Sequence, residues 1–195
     1  MKLENLADVA EAVRREGADF GVAFDGDGDR AVFVDGTGAP ISADLATVLI
    51  ARNMLARNPG ARGLYDLRSS RVVDEEIERA GGVAGMCRVG HSFVKAQMRE
   101  EGAIFAGELS GHLYFRFSET LIAYDGTAAL IALLDVLGAE GRPLAELVEP
   151  LRCYSASGET NSRVEDVAFV NEQLAAEHGE AAERGGAPEI SRLDG

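Results

Sequence analysis

The residues with the clearest chemical potential form one short run, Asp25-Gly-Asp-Gly-Asp-Arg30, in which three carboxylates alternate with two glycines. Apolar segments typical of β-strands flank the run at residues 20–24 and 31–34. We therefore predict a tight loop between two strands, which glycine permits because it lacks a Cβ atom. Three carboxylates that converge on one point repel each other unless a cation lies between them. Oxygen ligands of this kind favour Mg²⁺ or Ca²⁺ over zinc.

Two known patterns partly match the run, and both fail at particular positions. An EF-hand loop requires Gly at its sixth position and Glu at its twelfth, where this chain has Arg30 and Gly36. A dinucleotide-binding fingerprint has the spacing of Gly26, Gly28 and Ala31. However, aspartates between the glycines would repel a pyrophosphate, and the residues that follow are typical of a strand rather than a helix.

A solvated acidic turn would explain the glycines, but it requires neither a third aspartate nor the arginine. We therefore predict that Asp25, Asp27 and Asp29 bind Mg²⁺, a cation that usually keeps some coordination positions for water or for substrate phosphate. Arg30 suits a phosphate group next to the metal, because a guanidinium donates paired hydrogen bonds to phosphate oxygens.

The composition indicates a globular α/β protein that handles an anionic ligand only at a local site. The 195 residues are 46% hydrophobic and carry a formal net charge of −14. An acidic chain of this kind argues against general binding to nucleic acid or to a membrane surface, since both require a basic face. We interpret Cys87 and Cys153 as reduced core thiols. We expect a cytoplasmic protein, because no signal peptide follows Met1 and the most apolar stretch, residues 128–137, is too short to span a bilayer.

Strands and helices alternate through most of the chain, which predicts a layered sheet covered by helices. We expect residues 1–39 to hold a helix at 4–16 and the two strands around the aspartates. Residues 40–150 should form one layered α/β domain, and residues 151–195 the beginning of another. The strands predicted for these two parts are residues 63–67, 83–89, 103–106, 113–117, 152–160 and 190–193. The predicted helices are residues 44–57, 92–101, 126–137 and 164–177, together with one that Ser69 or Ser70 caps and that carries Asp74, Glu75 and Glu76 near its beginning.

One predicted helix, residues 126–137, is nearly all apolar. We expect Asp125 to cap its beginning and Gly138 to end it, since these residue types favour the two helix termini. An apolar surface on all sides predicts a helix that is buried on most of them.

The run Gly107–His112 lies between two predicted strands and contains Glu108, Ser110 and His112. A carboxylate can accept hydrogen bonds from two adjacent hydroxyls, so Glu108 suits the diol of a sugar. By itself, the run is equally compatible with an ordinary polar turn.

Two further segments place cations or an imidazole directly after predicted strands. His91 lies directly before the helix predicted at residues 92–101, and a helix N-terminus favours an anion. Arg68 follows the strand at residues 63–67. Each segment alone is also compatible with a helix cap or a surface arginine. Their common position after strands is nevertheless where layered α/β sheets bind ligands, so we expect these loops to share one site.

Together these segments resemble the α-D-phosphohexomutases, the phosphomannomutases and phosphoglucomutases of the bacterial type. The resemblance implies that the chain spans the end of the second domain of that family, the entire third domain and the start of the fourth. It also implies interconversion of hexose 1-phosphate and hexose 6-phosphate by Mg²⁺-dependent phosphoryl transfer. It rests on four runs in this order and spacing, namely Asp25-Gly-Asp-Gly-Asp-Arg30, Tyr65-Asp-Leu-Arg-Ser-Ser70, Gly90-His-Ser-Phe-Val-Lys95 and Gly107-Glu-Leu-Ser-Gly-His112.

The resemblance gives these residues roles in binding and catalysis. The three aspartates resemble the family's Mg²⁺ ligands, with a phosphoserine as the remaining ligand and Arg30 beside its phosphate. His91 resembles a histidine of proton transfer and sugar-phosphate contact. Glu108 and Ser110 resemble the sugar-specificity loop, which His112 closes.

Two positions depart from the family pattern. Arg68 stands where a lysine is common, which leaves open whether this residue acts as an acid and base or only as an electrostatic clamp. Tyr124 stands, with Asp125, where an acidic pair before glycine is common.

The family's phosphorylated serine belongs to a first domain and its phosphate-gripping loop to the fourth, and neither has a counterpart in this sequence. We therefore expect the 195 residues alone to lack mutase turnover, to bind Mg²⁺ weakly and to require the missing domains 1 and 4 of the same enzyme. The alternative is a non-catalytic module that binds Mg²⁺ or a sugar phosphate. The expected partner is the 1- or 6-phosphate of mannose or glucose, and the sequence does not separate the two hexoses.

Overall fold

The computed structural model describes residues 3–155 and 163–182. The chain divides into two units, residues 1–155 and residues 156–195. In the second unit, one helix, α7, spans Val167–Ala182. It begins three residues later than predicted, and the strand predicted at residues 190–193 lies outside the described residues. The elements below belong to the first unit and are numbered in chain order.

A small antiparallel sheet carries the aspartate run. Strand β1, Phe20–Phe24, pairs with β2, Ala31–Asp35, and β2 pairs with a short β3, Pro40–Ile41, that we had not predicted. Phe24 pairs with Ala31, so the six residues between them form the connection of a hairpin, which confirms the predicted loop between two strands. Helix α1, Ala7–Glu16, packs on this sheet and ends at Gly17 as predicted.

The larger sheet has five strands in the order β5-β4-β6-β7-β8. Its first three strands in space are parallel, and β7 and β8 continue the sheet in antiparallel fashion. The carboxyl ends of β4, β5, β6 and β8 therefore meet at one edge, where β7 begins. Strand β8 is an addition to the predicted elements. The bounds are β4, Arg62–Asp66; β5, Val83–Cys87; β6, Phe105–Gly107; β7, Leu113–Arg116; and β8, Ile122–Tyr124.

Helices cover both faces of the larger sheet, as the alternation of its side chains requires. Tyr65, Phe105 and Phe115 point to the main core, while their neighbours Leu64 and Tyr114 point to a second, smaller one. The layered α/β fold predicted from the sequence is thereby confirmed. The helices are α2, Ala43–Arg57; α3, Val72–Arg79; α4, His91–Glu100; α5, Gly126–Glu140; and α6, Leu144–Val148.

Helix α5 confirms the predicted N-cap of the helix at residues 126–137 but not its predicted end or its burial. Its N-cap is Asp125, whose carboxylate accepts a hydrogen bond from the Ala128 amide at 2.9 Å, as expected. The helix continues through Gly138 and ends at Gly141, which adopts the left-handed conformation. It is not buried on most sides, since Ile131 is 61% exposed and Leu134 is 48% exposed. The buried helix is α2, which lies between α3 and α5 and hides most of its side chains.

Two smaller predictions also need correction. Only Cys87 is a core thiol, because Cys153 is exposed. Residues 152–155 form no strand, and the rest of the strand predicted at 152–160 lies outside the described residues. Within the ranges that the structure describes, no helix combines the length and the hydrophobicity needed to cross a membrane.

Candidate functional site

The three aspartates of the β1–β2 hairpin converge. Asp25, Asp27 and Asp29 each present a carboxylate oxygen, and these oxygens lie within 4.8 Å of one another. The turn depends on Gly28, which has φ of 75°, a value that L side chains rarely adopt. The Gly28 amide donates to the Asp25 carbonyl at 3.2 Å and closes the turn. The alternation of glycine and aspartate thus brings the carboxylates to one side, as predicted.

Arg30 lies against the same loop. Its amide donates to Oδ1 of Asp25 at 3.1 Å, and its Nε lies 2.9 Å from Oδ2 of that residue, an ion-pair contact without hydrogen-bond geometry. Burial raises the pKa of Asp25, but the hydrogen bond and the positive charge of Arg30 outweigh this effect, so the pKa lies below its usual value. Asp25 is therefore ionised and available as a ligand at neutral pH.

Helix α5 supports the loop from behind. The Gly126 amide donates to the Gly28 carbonyl at 3.1 Å. A Cβ atom at position 126 would lie 2.7 Å from the Gly28 oxygen and 2.9 Å from the Arg30 oxygen, distances that real Cβ atoms essentially never show. Only glycine allows the helix to approach the aspartate loop this closely.

The loop between β6 and β7, residues 107–112, is built around Glu108. This carboxylate is only 3% exposed. Its Oε1 accepts from the Gly90 amide at 2.8 Å, and its Oε2 accepts from the Tyr114 hydroxyl at 2.7 Å and lies 3.1 Å from Nδ1 of His112. Burial alone would raise the pKa of Glu108, but the hydrogen bonds from His112, Gly90 and Tyr114 outweigh it and lower the pKa to about 2.

His112 connects the two loops. Its Nδ1 lies 2.8 Å from the Ser110 hydroxyl, and its Nε2 lies 3.4 Å from Oδ1 of Asp29. The backbones meet at the same point, since Arg30 and His112 form a β-bridge and the Ala31 amide faces the Gly111 carbonyl at 3.4 Å. The aspartate loop and the 107–112 loop are therefore parts of one site.

A second buried carboxylate, Asp66, holds Arg68. Its Oδ2 accepts from Nη2 of Arg68 at 2.6 Å and from Nε at 3.1 Å, and it also accepts from the Leu109 amide at 3.1 Å. Its Oδ1 accepts from the Ser69 hydroxyl at 3.0 Å. Asp66 is fully buried and fixes the loop after β4 against the loop after β6.

His91 opens helix α4 at the same edge and is exposed. Its ring centroid lies 5.9 Å from that of Tyr124, the last residue of β8. Tyr124 also contacts His112, at 5.2 Å between ring centroids. The structure therefore brings the predicted residues of all four runs to one edge of the larger sheet.

The structure indicates the roles of Asp66 and Tyr124 at this edge more clearly than the sequence does. Asp66 belongs to one of the runs named above, but its sequence context does not distinguish a buried anchor from a surface carboxylate. Tyr124 lies on a strand of three residues, which is too short for its side-chain alternation to be recognised.

Comparison with known proteins agrees with this arrangement. Residues 42–154 match the family model of phosphoglucomutase/phosphomannomutase, alpha/beta/alpha domain III, and residues 2–38 match that of domain II. The first match alone covers more than half of the chain. The chain belongs to the phosphoglucomutase/phosphomannomutase family.

Individual members of the family are similar over much of this chain. A phosphomannomutase of Methanocaldococcus jannaschii is 40% identical over 89% of this chain and 38% of its own length. A phosphoglucomutase of Neisseria gonorrhoeae is 38% identical over 100% of this chain and 42% of its own length. A crystal structure of a family protein from Burkholderia thailandensis has a TM-score of 0.68 and 40% identity over 74% of this chain and 31% of that one. The chain thus spans about two fifths of the length of the curated relatives it matches.

Membership of the phosphoglucomutase/phosphomannomutase family is consistent with the chemistry of the assembled edge. Three carboxylates and Arg30 lie on one side of His112, while Ser110 and Glu108 lie on the other. The imidazole of His112 therefore lies between the carboxylate of Asp29 and that of Glu108.

Proposed function

We propose that this chain supplies the metal-binding and sugar-binding parts of a phosphohexomutase that interconverts hexose 1-phosphate and hexose 6-phosphate. The hexose is mannose or glucose, in line with the names of the relatives. The division predicted from the sequence, with residues 1–39, 40–150 and 151–195 in successive domains, is part of the proposal. The full activity belongs to a protein that joins this chain to the parts of its relatives that it does not span, domains 1 and 4 of the enzyme.

One observation carries the proposal, namely the contact series from Asp29 through His112 to Glu108. Phosphoryl transfer to a sugar requires the charged phosphoryl group and the sugar hydroxyls in one place. A metal loop and a sugar loop that share a histidine meet this requirement. A module that merely bound Mg²⁺ would have no need for the second loop.

The donor set fits Mg²⁺. Three carboxylates supply only oxygen atoms, which suit a hard divalent cation. Oδ1 of Asp29 is buried and accepts no hydrogen bond among the described residues, although Nε2 of His112 and Nε of Arg30 lie 3.4 Å and 3.7 Å from it. We propose that Asp25, Asp27 and Asp29 hold the ion. Bound there, Mg²⁺ supplies positive charge that stabilises the transferring phosphoryl group.

We assign separate roles to Arg30, Arg68 and His91. Arg30 contacts the phosphate beside the metal, where its guanidinium neutralises developing negative charge. Arg68 acts as a fixed clamp on the substrate rather than as an acid and base, because a guanidinium does not lose its proton and Asp66 holds it from two nitrogens. His91 transfers a proton or contacts the sugar phosphate from the exposed end of α4.

The 107–112 loop binds the sugar. Ser110 and His112 offer a hydroxyl and an imidazole, and Glu108 accepts from a sugar hydroxyl in addition to its protein partners, since a carboxylate has about four acceptor positions. The depressed pKa of Glu108 keeps this acceptor ionised.

A cytoplasmic location remains a prediction from the sequence.

The alternative, a non-catalytic module for Mg²⁺ or sugar phosphate, is favoured for the isolated chain by its length relative to the curated enzymes. A coupled assay distinguishes the two functions, with glucose 1-phosphate or mannose 1-phosphate as substrate and a hexose bisphosphate as activator. We expect the isolated 195 residues to bind the hexose phosphate without turnover. Turnover by these residues alone would contradict the predicted need for the other domains.

Metal binding is measured by calorimetry on the same preparation. We expect weak binding of Mg²⁺, and a further loss of about tenfold or more in Asp27→Asn, whose exposed carboxylate is a ligand rather than a packing element. The matched control is Asp19→Asn, an exposed aspartate outside the loop. Equal affinity in both variants, or no binding of either Mg²⁺ or hexose phosphate by the unaltered chain, would overturn the proposed function.

A further inference from the structure

Tyr124 occupies a central position at the sheet edge. It is the last residue of β8, and its ring is half-buried among residues from three other elements. Its centroid lies 5.2 Å from that of His112 in a near-perpendicular arrangement, 5.9 Å from that of His91 and 5.1 Å from that of Tyr114. These separations are typical of attractive aromatic pairs.

A lysine ammonium completes the cluster. Nζ of Lys95, in the second turn of α4, lies 5.0 Å from the centroid of the Tyr124 ring, within the range of a cation–π interaction. Among the described residues, no carboxylate lies within 4.0 Å of this ammonium group. Without an ion-pair partner among the described residues, this ammonium group is available to an anionic ligand.

The contacts of Tyr124 with His91, His112 and Lys95 differ from those of an ordinary core residue. Leu64, Val94 and Ile122 fill the smaller core beneath it with aliphatic side chains. Tyr124, by contrast, contacts two imidazoles and one ammonium, the polar groups that the 107–112 loop and helix α4 bring to the edge. Removal of its ring would leave the three groups without a common neighbour.

We propose that Tyr124 is a positioning residue of the hexose-phosphate site, which packs against His112 and places the imidazole of His91 and the ammonium of Lys95 beside one anionic group of the substrate. The inference rests on the function proposed above and adds a residue and a cation to that site. Lys95 contacts the sugar phosphate, while Tyr124 acts through the groups that its ring holds.

The three histidines of the chain allow a direct test by NMR. The imidazole signals are assigned with His91→Gln, His112→Gln and His178→Gln, and glucose 1-phosphate is titrated into the isolated chain. In Tyr124→Leu we expect the His91 and His112 signals to shift before ligand is added, because the ring current is lost. We also expect binding about tenfold weaker, from the loss of several aromatic and cation–π contacts.

Three further variants separate positioning from folding. Tyr124→Phe keeps the ring and should retain both the signals and the affinity. Phe117→Leu removes a half-exposed ring directly after the neighbouring strand β7 and should change neither. Lys95→Met should weaken binding of glucose 1-phosphate while leaving the two histidine signals in place, and this variant tests the site even where Tyr124→Leu does not fold.

The outcomes test the role of Tyr124 and Lys95 separately from the proposed sugar-binding function. Equal affinity of Tyr124→Leu, or of Lys95→Met, and the unaltered chain for glucose 1-phosphate would overturn the role of that residue while leaving the proposed function intact. Unchanged histidine signals in a folded Tyr124→Leu would overturn positioning by the ring. A chain that does not bind glucose 1-phosphate at all would overturn the sugar site and, with it, this inference.

Discussion

Nε2 of His112 lies 3.4 Å from Oδ1 of Asp29, so the aspartate loop of the small sheet and the 107–112 loop of the larger sheet share a contact. The other imidazole nitrogen faces Glu108 at 3.1 Å. One side chain therefore connects the aspartate loop with the 107–112 loop, the two parts to which we assign the cation and the sugar in the proposed function. A change at either loop should be detected at the other.

The first prediction follows from this contact. Addition of Mg²⁺ to the isolated chain should shift the imidazole signals of His112, because a cation at Asp29 changes the electric field at Nε2. The signals of His91, which contacts Tyr124 rather than an aspartate, should shift less. In Asp27→Asn the same concentration of Mg²⁺ should produce a smaller change. Saturable binding of Mg²⁺ that leaves His112 unaffected would contradict the shared site.

The second prediction concerns the approach of α5 to the aspartate loop. In Gly126→Ala, the new Cβ meets two backbone oxygens of the loop, which cannot move without opening the turn. We expect a loss of roughly 1–3 kcal/mol in the free energy of unfolding and weaker binding of Mg²⁺. Urea unfolding and calorimetry measure the two effects.

Gly138 is the matched control for this substitution, since it lies on the same helix and a Cβ there meets nothing within 4 Å. Gly138→Ala should keep the affinity for Mg²⁺ and raise stability by up to about 1 kcal/mol, because alanine has the higher helix propensity. Equal stability and equal Mg²⁺ affinity of Gly126→Ala and Gly138→Ala would show that the close approach of α5 to the aspartate loop is unimportant.

The third prediction uses the depressed pKa of Glu108. The carboxyl has a pKa of about 2 in the folded chain, below its ordinary value of 4.5, so the unfolded chain binds the proton more tightly. Its contribution to stability is present above pH 4.5 and is lost as the pH falls towards 2, by roughly 3 kcal/mol in total. Glu108→Gln should be less stable than the unaltered chain at pH 7, and the difference should shrink as the pH falls through this window. A difference that is independent of pH would contradict the assignment.

The fourth prediction concerns the contact between β6 and α2. A Cβ atom at Gly107 would lie 2.1 Å from Oγ1 of Thr47, a buried hydroxyl that donates to the Ala43 carbonyl at 2.8 Å. Gly107→Ala should therefore lower the free energy of unfolding by roughly 1–3 kcal/mol. Gly26→Ala should have little effect on stability, because a Cβ there meets nothing within 4 Å.

A double-mutant cycle tests whether the contact with Thr47 causes the destabilisation by Gly107→Ala. Thr47→Ala removes the atoms closest to the new methyl group, so the cost of Gly107→Ala should be smaller in that background. Additive costs would indicate that the destabilisation has another origin.

Much of the local structure could be predicted because it depends on neighbours in the chain. The strands around the aspartates, the cap at Asp125 and the end of α1 at Gly17 each follow from residue types within a few positions. The mistakes have a common origin. Helix α5 is nearly all apolar, yet Ile131 and Leu134 are exposed, because burial depends on which elements cover a face and not on the sequence of that face alone.

The sequence by itself determined the chemistry available to this protein. The groups that can do chemistry are read directly from their positions. They are three aspartates spaced by glycines, two histidines and two arginines after strands, and a carboxylate two residues before a serine. Their short-range spacing also determined the turn at Gly28, since a left-handed backbone conformation requires glycine there.

Only the tertiary structure decided how these groups meet. The contact of His112 with Asp29 joins two separate sheets, and the burial of Glu108 and Asp66 makes each of them the anchor of a neighbouring loop. Tyr124 gained its place because β8 runs antiparallel to β7 and ends at the edge where β6 also ends. Strand order and the packing of distant segments arise from burying the whole chain at once, so no local pattern encodes them.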